Sequence, residues 1–292
     1  MTEEQFFLGE RLGGWISEAT NTFVTFLVIN YGNGFEAVSN ALLTVLVALE
    51  QTLRAAPPAL IIVIVGLLAY AASRKMALAV TMAAAAYVLG LLGLWEKAMQ
   101  TVAIMLVSVG IAIVIGIPVG ILTARSDRAR MLINPVLDLM QTIPSFVYLI
   151  PAAMLFGLGK VPAILATVIY ATPPLIRLTD LGIRYVDSEV VEASRAFGAT
   201  RWQMLRGVQI PLALPSIMQG INQTTMMALA MVVIASMIGA RGLGEPVLLG
   251  LQRNDAGQGL VGGLAIVLLA IIFDRITQAA GARAQTYRQV AH

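Results

Sequence analysis

The sequence contains no cysteine and only one histidine, His292, at its last position. Without thiols the chain forms no disulfide, has no cysteine nucleophile and offers no cysteine-ligated metal site. Charged residues make up only 12% of the 292 residues, whereas a soluble domain has about 25%. Because 58% of the residues are hydrophobic, the shortage of charge indicates an integral membrane protein.

Ionisable groups are also missing from the interior of the long apolar runs. A helix needs about 20 largely apolar residues to cross the hydrocarbon core, and seven runs approach that length. They are residues 57–73, 76–95, 98–124, 141–159, 161–177, 211–238 and 257–273. Ion-coupled carriers normally hold ionisable groups at mid-membrane depth. Their absence argues against a carrier that works alone, although sodium is sometimes held by carbonyls and hydroxyls.

No phosphate-binding loop of the form G-x-x-x-x-G-K-[ST] is present. The nearest approach ends in Gly159 and Lys160, but Met154 replaces its first glycine and Val161 its Ser/Thr. No metal-ligand cluster or nucleophile–base pair is evident either. We therefore expect no enzyme activity, no cofactor and no metal site. If transport is driven by ATP, another polypeptide must bind the nucleotide.

The basic residues predict the orientation in the membrane, because cytoplasmic loops carry an excess of Lys and Arg. With residues 178–210 inside and the seven runs alternating, 13 of the 19 Lys and Arg lie inside and 6 outside. This places the C-terminus in the cytoplasm and the N-terminus outside. The net charge of +3 comes without a basic run, so we expect no nucleic-acid partner.

The first 56 residues do not read as a clean span, and the acidic start lacks the features of a cleavable signal peptide. Between residues 35 and 53, apolar side chains recur at helical spacing, and Glu36, Glu50 and Gln51 fall largely elsewhere around the helix. Such an amphipathic helix lies at the interface or packs along a bundle. An interfacial scaffold helix and an eighth span both stay open. Residues 57–97 then form two peripheral spans, 98–277 the core, and 278–292 a cytoplasmic tail.

Glycine and proline punctuate several runs, for example Gly116, Pro118 and Gly120. Small residues four apart allow helices to pack closely. Proline frees a carbonyl and kinks a helix, which would also serve a hinge. Close packing and hinges for alternating access are both compatible with the sequence.

The most informative motif lies in the polar stretch 187–211. Glu192, Ala193 and Ser194 are followed after three residues by Gly198, and after nine more by Val208, Gln209, Ile210 and Pro211. Ser188 and the acidic residues after it favour a helix start, and Gly198 favours a left-handed helix end. By spacing alone, an ordinary solvated loop is an equal alternative.

The motif resembles the EAA loop of binding-protein-dependent ABC importer permeases, with Ser194, Val208 and Ile210 as mild departures. The resemblance implies a cytoplasmic helix that docks in a groove of an ATPase subunit. The residues that carry this expectation are Glu192, Ala193, Ser194, Phe197, Gly198, Val208, Ile210 and Pro211.

A wider part of the chain, most of residues 57–280, is similar to permeases for glycine betaine, choline and related quaternary amines. Residues 137–149, 173–178, 220–224, 231–238 and 242–244 carry this similarity. It implies an all-α type I importer fold in a bacterial inner membrane. Implied partners are an ABC ATPase subunit, a second copy of the chain and a separate extracytoplasmic substrate-binding protein. The alternatives are a permease for histidine or another amino acid, and a channel or carrier that works alone.

Polar and aromatic residues within the runs are candidates for the translocation path. Gln219, Asn222, Gln223 and Met226 recur at helical spacing and form one stripe on an apolar helix. Such amides line a pathway or hydrogen-bond across a dimer seam, and both interpretations stay open. Tyr148 presents a ring face to a passing cation, or anchors the core.

Overall fold

The computed structural model describes the backbone of residues 9–290 and the side chains of residues 12–283. Within these residues the chain is helical and has no strand, as the sequence predicts. The helices are α1 Gly9–Ala55, α2 Pro58–Ser73, α3 Met76–Leu91, α4 Trp95–Arg125, α5 Asp127–Thr142, α6 Leu149–Phe156, α7 Lys160–Arg184, α8 Ser188–Ala196, α9 Arg201–Met204, α10 Ile210–Ile234, α11 Gly244–Gln252 and α12 Ala256–Val290. Short 3₁₀ turns cover Ser145–Tyr148 and Ala235–Ile238, and a π-helical turn covers Leu205–Gln209.

The predicted count of about seven spans is not confirmed by helix length and composition. Within the described residues five helices are long and apolar enough to cross a membrane, and a bent pair makes a sixth. Helices α2 and α3 have 16 residues each, about 24 Å at 1.5 Å per residue. They form an apolar hairpin that turns at Arg74 and Lys75.

The predicted run 141–159 is broken near its start. Helix α5 ends at Thr142, and the following segment Ser145–Phe156 continues at an angle of 106°. Pro144 explains the break, because a proline disfavours the helical conformation of the residue before it. Ile143 is indeed extended, with φ −69° and ψ 127°. The predicted run 141–159 is thus divided between the end of α5 and the segment Ser145–Phe156.

Helix α1 is continuous over 47 residues, about 70 Å, and it is long and apolar enough to cross a membrane. Only its C-terminal part packs on the bundle, where Leu42, Leu46, Leu49 and Leu53 contact the main core cluster. Glu50, predicted to fall away from this face, is instead buried. Its carboxylate lies 2.5 Å from the Lys160 ammonium, which ties α1 to the start of α7.

Helix α7 lies at the centre of the bundle and packs most extensively on α4 and α10. Small residues bring these helices close together. A Cβ at Gly120 of α4 would lie 2.6 Å from the Thr179 Cβ, and one at Gly182 of α7 would lie 2.7 Å from the Ser216 Cβ. Close packing is therefore the role of Gly120, and α4 remains one helix through Pro118.

This packing predicts the effect of adding one methyl group to α4. Gly120→Ala forces the Ala side chain against Thr179 and the carbonyl of Ile176, which costs about 1–3 kcal/mol. We expect the thermal midpoint of the purified protein to fall by several degrees. Gly110→Ala is the matched control, since it is exposed on the same helix and its Cβ would meet nothing within 4 Å. Equal midpoints for the two variants would contradict the packing role.

Candidate functional site

The stretch 187–211 begins with a short capped helix, α8 Ser188–Ala196. The Asp187 side chain accepts a hydrogen bond from the Glu189 backbone N–H at 2.9 Å. The cap is therefore Asp187, one residue earlier than the predicted Ser188. Both residues favour this position, and the extended backbone of Asp187, with ψ 127°, decides between them.

The C-terminal end of α8 has the hydrogen bonds of a Schellman motif. The Gly198 N–H donates to the Arg195 carbonyl at 2.9 Å, and the Ala199 N–H donates to the Ser194 carbonyl at 3.1 Å. Gly198 has φ +81°, a conformation that costs other residues about 1–2 kcal/mol. The predicted left-handed helix end at Gly198 is confirmed.

The exposed surface at the C-terminal end of α8 carries two alanines and one large aromatic side chain. Glu192, Ala193, Ala196 and Phe197 are all exposed, and Ser194 is partly buried. Phe197 is 92% exposed although it is a large aromatic residue. We call Glu192, Ala193, Ala196 and Phe197 the docking patch. A protruding aromatic side chain on a rigid helix is a typical anchor for a partner's pocket.

Two further aromatic residues beside the patch were not singled out in the sequence. Tyr185 and Trp202 are both exposed, and the Arg206 guanidinium lies 4.6 Å from the centre of the Trp202 ring. Aromatic residues and arginine are enriched at protein interfaces. Tyr185 and Trp202 lie 17 positions apart in a polar loop of an otherwise apolar chain. This spacing was a signal in the sequence for an interface at the loop.

The second half of the stretch leads directly into α10. Thr200 and Gln203 form a capping box, with the Thr200 N–H donating to Gln203 Oε1 at 2.9 Å. A π-helical turn follows at Leu205–Gln209, where the Ile210 N–H donates to the Leu205 carbonyl. Such turns are rare and frequently lie at functional sites. Nothing in the sequence prediction anticipated it.

Of the three predicted residues in this half, Val208 and Ile210 are partly buried and Pro211 is exposed. The side chain of Leu205 is buried together with Ile183 of α7 and with Ala213 and Ile217 of α10. Ile210 packs against the same cluster. The π-helical turn is therefore fixed to the ends of two core helices.

A network of charges lies behind α8. Asp180 of α7, with a side chain only 6% exposed, contacts Arg130 at 3.2 Å and Arg184 at 2.9 Å. Arg184 also contacts Asp127 at 2.7 Å and donates to the Thr123 carbonyl. The network joins α4, α5 and α7. The sequence did not predict this network, because the apolar run 161–177 ends before Asp180, whereas α7 continues to Arg184.

A cavity of about 630 Å³ separates α8 from the ends of the core helices. Four arginines line it, namely Arg125, Arg184, Arg195 and Arg201, together with one acidic residue, Glu192. The excess of positive charge suits an acidic side chain of a partner more than a second basic one. Within the described residues no group of three or more His, Cys, Asp or Glu is placed to hold a metal ion.

The structure separates the candidate path residues into different environments. Gln219 and Asn222 line one cavity of about 410 Å³ with residues of α12. Gln223 is exposed, and Met226 is partly buried against the main core cluster. The four residues thus do not form one uniform stripe facing a single space.

The amide of Asn222 has its partners within the chain. Asn222 is 7% exposed and donates to the Asp274 carboxylate at 3.1 Å, while Thr277 donates to its carbonyl oxygen. This contact between α10 and α12 was not among the alternatives that the sequence left open.

Tyr148 is partly buried, donates to the Met140 carbonyl at 2.7 Å, and its ring centre lies 6.4 Å from that of Tyr170.

Known proteins similar to this chain are membrane components of importers. The chain is 47% identical over 270 residues to the glycine betaine/proline betaine transport system permease protein ProW of Escherichia coli (strain K12), covering 92% of this chain and 75% of that protein. It is 54% identical over 195 residues to the glycine betaine/carnitine transport permease protein GbuB of Listeria monocytogenes, covering 67% and 69%. It is 41% identical over 263 residues to the glycine betaine transport system permease protein OpuAB of Bacillus subtilis (strain 168), covering 90% and 93%.

A solved structure supports the fold. The inward-facing MetNI methionine ABC transporter, in its native crystal form, has a chain that matches 66% of this chain with a TM-score of 0.57 and 26% identity, covering 95% of the solved chain. The predicted type I importer fold and the resemblance to glycine betaine permeases are thus confirmed. The family model described as "Binding-protein-dependent transport system inner membrane component" matches residues 116–285. This is more than half of the sequence, and the chain therefore belongs to that family of inner-membrane transport components.

Proposed function

We propose that the chain is the permease subunit of an ATP-driven importer for glycine betaine or a related quaternary amine. The observation that carries this proposal is the docking patch, a helix capped at both ends that holds Phe197 in solvent. The similarity to permeases whose names specify glycine betaine supports the substrate class. A large aromatic side chain held in solvent at the end of a helix is explained by a second subunit that binds it.

The chain transmits work and does not hydrolyse ATP. A separate ATPase subunit binds the nucleotide, and its closure moves α8. Leu205 of the π-helical turn and Ile183 of α7 are buried in one cluster. The movement of α8 therefore reaches the end of α7 and the start of α10 through this turn. The helices then change from an inward-open to an outward-open arrangement. A second copy of the chain completes the path, and an extracytoplasmic binding protein delivers the solute.

The proposed orientation places the docking patch in the cytoplasm. The turn at Arg74 and Lys75, the start of α5 and the end of α12 lie on the same side, where basic residues are in excess. Leu158, in the turn between α6 and α7, then lies outside. If α1 crosses the membrane, the N-terminus lies in the cytoplasm, and if α1 lies at the interface, the N-terminus lies outside as the sequence predicts.

Uptake by the reconstituted complex tests the substrate class. We expect ATP-dependent uptake of radiolabelled glycine betaine into proteoliposomes when the binding protein is present. A tenfold excess of unlabelled histidine or methionine should leave this uptake unchanged. Competition by an amino acid would favour the alternative function, a permease for amino acids. Uptake by the single chain without nucleotide would indicate a carrier or channel that works alone.

Truncation of Phe197 tests the docking patch. Phe197→Ala removes the largest apolar group that a partner's pocket would bury, a contribution of roughly 1.5–3 kcal/mol. We expect binding of the ATPase subunit to weaken about tenfold to a hundredfold, measured by titrating the labelled ATPase onto the permease in nanodiscs. Leu158→Ala is the control, since Leu158 is 79% exposed at the opposite end of the bundle. Equal affinities for the two variants would rule out the patch.

Substitutions of Gly198 separate backbone conformation from side-chain size. Asparagine tolerates a positive φ better than alanine, and a β-branched residue tolerates it least. We expect substrate-stimulated ATPase activity to fall in the order Gly, Asn, Ala, Val. The control is Gly110→Ala, because Gly110 is also exposed, has no positive φ and lies outside the stretch 187–211. If Gly198→Asn loses as much activity as Gly198→Val, steric exclusion by the partner explains the effect and the left-handed cap does not.

A further inference from the structure

Four basic side chains line a cavity that shares no residue with the docking patch. The cavity has a volume of about 690 Å³ and lies between the α2–α3 turn and the C-terminal part of α12. Arg74 and Lys75 line it from the turn, and Arg275 and Arg283 line it from α12. Ala72, Leu78 and Ala279 supply an apolar wall. The site therefore combines positive charge with an apolar surface.

No acidic side chain neutralises this charge among the residues whose side chains the structure describes. Arg54, Lys97, Lys160 and other basic residues contact carboxylates within 4.0 Å, but none of the four around the cavity does. Asp274, next to Arg275, accepts hydrogen bonds from Asn222 and Gln278. The sequence after Arg283 contains Arg288 and no Asp or Glu.

The geometry of the cavity rim is fixed by hydrogen bonds. Arg283 is partly buried and donates to the Ala71 carbonyl at 2.7 Å, which joins α12 to α2. The Lys75 N–H donates to the Ser73 hydroxyl at 3.1 Å. Arg74 has φ +57°, and its N–H donates to the Tyr70 carbonyl. Glycine would remove the strain of this conformation, so the sequence keeps a cation at a position where the backbone favours glycine.

The cavity lies at the end of an apolar hairpin, where a phospholipid headgroup would meet it. Leu67 and Leu68 of α2 and Val80 of α3 are exposed, so acyl chains find an apolar surface below the basic rim. Basic cavities between membrane helices bind anionic headgroups. We propose that this site binds an anionic phospholipid such as phosphatidylglycerol, with its phosphate between the α2–α3 turn and α12.

Arg74→Gly removes one cation and also relieves backbone strain. A loss of binding in this variant therefore does not come from misfolding. We expect an unchanged or higher thermal midpoint, and about fivefold weaker binding of phosphatidylglycerol, as one basic residue near a membrane surface contributes about 1 kcal/mol. Asn254→Gly is the matched control, since Asn254 has φ +53° and carries no charge. Binding is measured by native mass spectrometry of the complex with its ATPase, titrated with phosphatidylglycerol or phosphatidylcholine.

A paired variant extends the test to α12. We expect the double variant Arg275→Gln with Arg283→Gln to weaken phosphatidylglycerol binding roughly thirtyfold. The double variant Arg275→Lys with Arg283→Lys should retain most of the binding. Arg241→Gln with Arg253→Gln, which removes the same charge elsewhere, should have little effect. Equal losses in both pairs, or no preference over phosphatidylcholine, would overturn the proposal. Full competition by millimolar glycerol 3-phosphate or inorganic phosphate would show a soluble-anion site and also overturn it.

Discussion

The close approach of α7 to α4 and α10 is the constraint on which the rest of the structure depends. At Gly120 and Gly182 the neighbouring helix leaves no room for a methyl group, so these helices do not slide or rotate independently by small steps. Densely packed helices move as units, and their rearrangements are discrete. The stretch 187–211 joins the end of α7 to the start of α10. Under the proposed function, a displacement of α8 reaches the centre of the bundle through this stretch.

Ion pairs hold both ends of helix α7. At one end Asp180 holds Arg130 and Arg184 and so joins α5 to α7. At the other end Glu50 of α1 contacts Lys160 at the start of α7. Charges at the ends of membrane helices remain close to water and cost less than charges at mid-depth. Helix α7 is thus held at both ends, while its middle is surrounded by apolar and small side chains.

Local features were predictable from the sequence, and features set by tertiary contacts were not. Gly198 and its left-handed conformation follow from the motif, because helix ends are decided within a few residues. The break after Thr142 also had a local signal in Pro144. By contrast, hydropathy alone does not show that Glu50 faces the core. The contact of Asn222 with Asp274 joins residues 52 positions apart, which no periodicity reveals.

Site-directed labelling tests most directly whether the docking patch faces the cytoplasm and is covered by an ATPase. The natural sequence has no cysteine, so Phe197→Cys and Leu158→Cys each introduce a single thiol. In inside-out vesicles a membrane-impermeant maleimide should label position 197, and bound ATPase subunit should block that labelling. Position 158 should react only in right-side-out vesicles. Labelling of position 197 from the external side, or no protection by the ATPase, would contradict the proposed coupling.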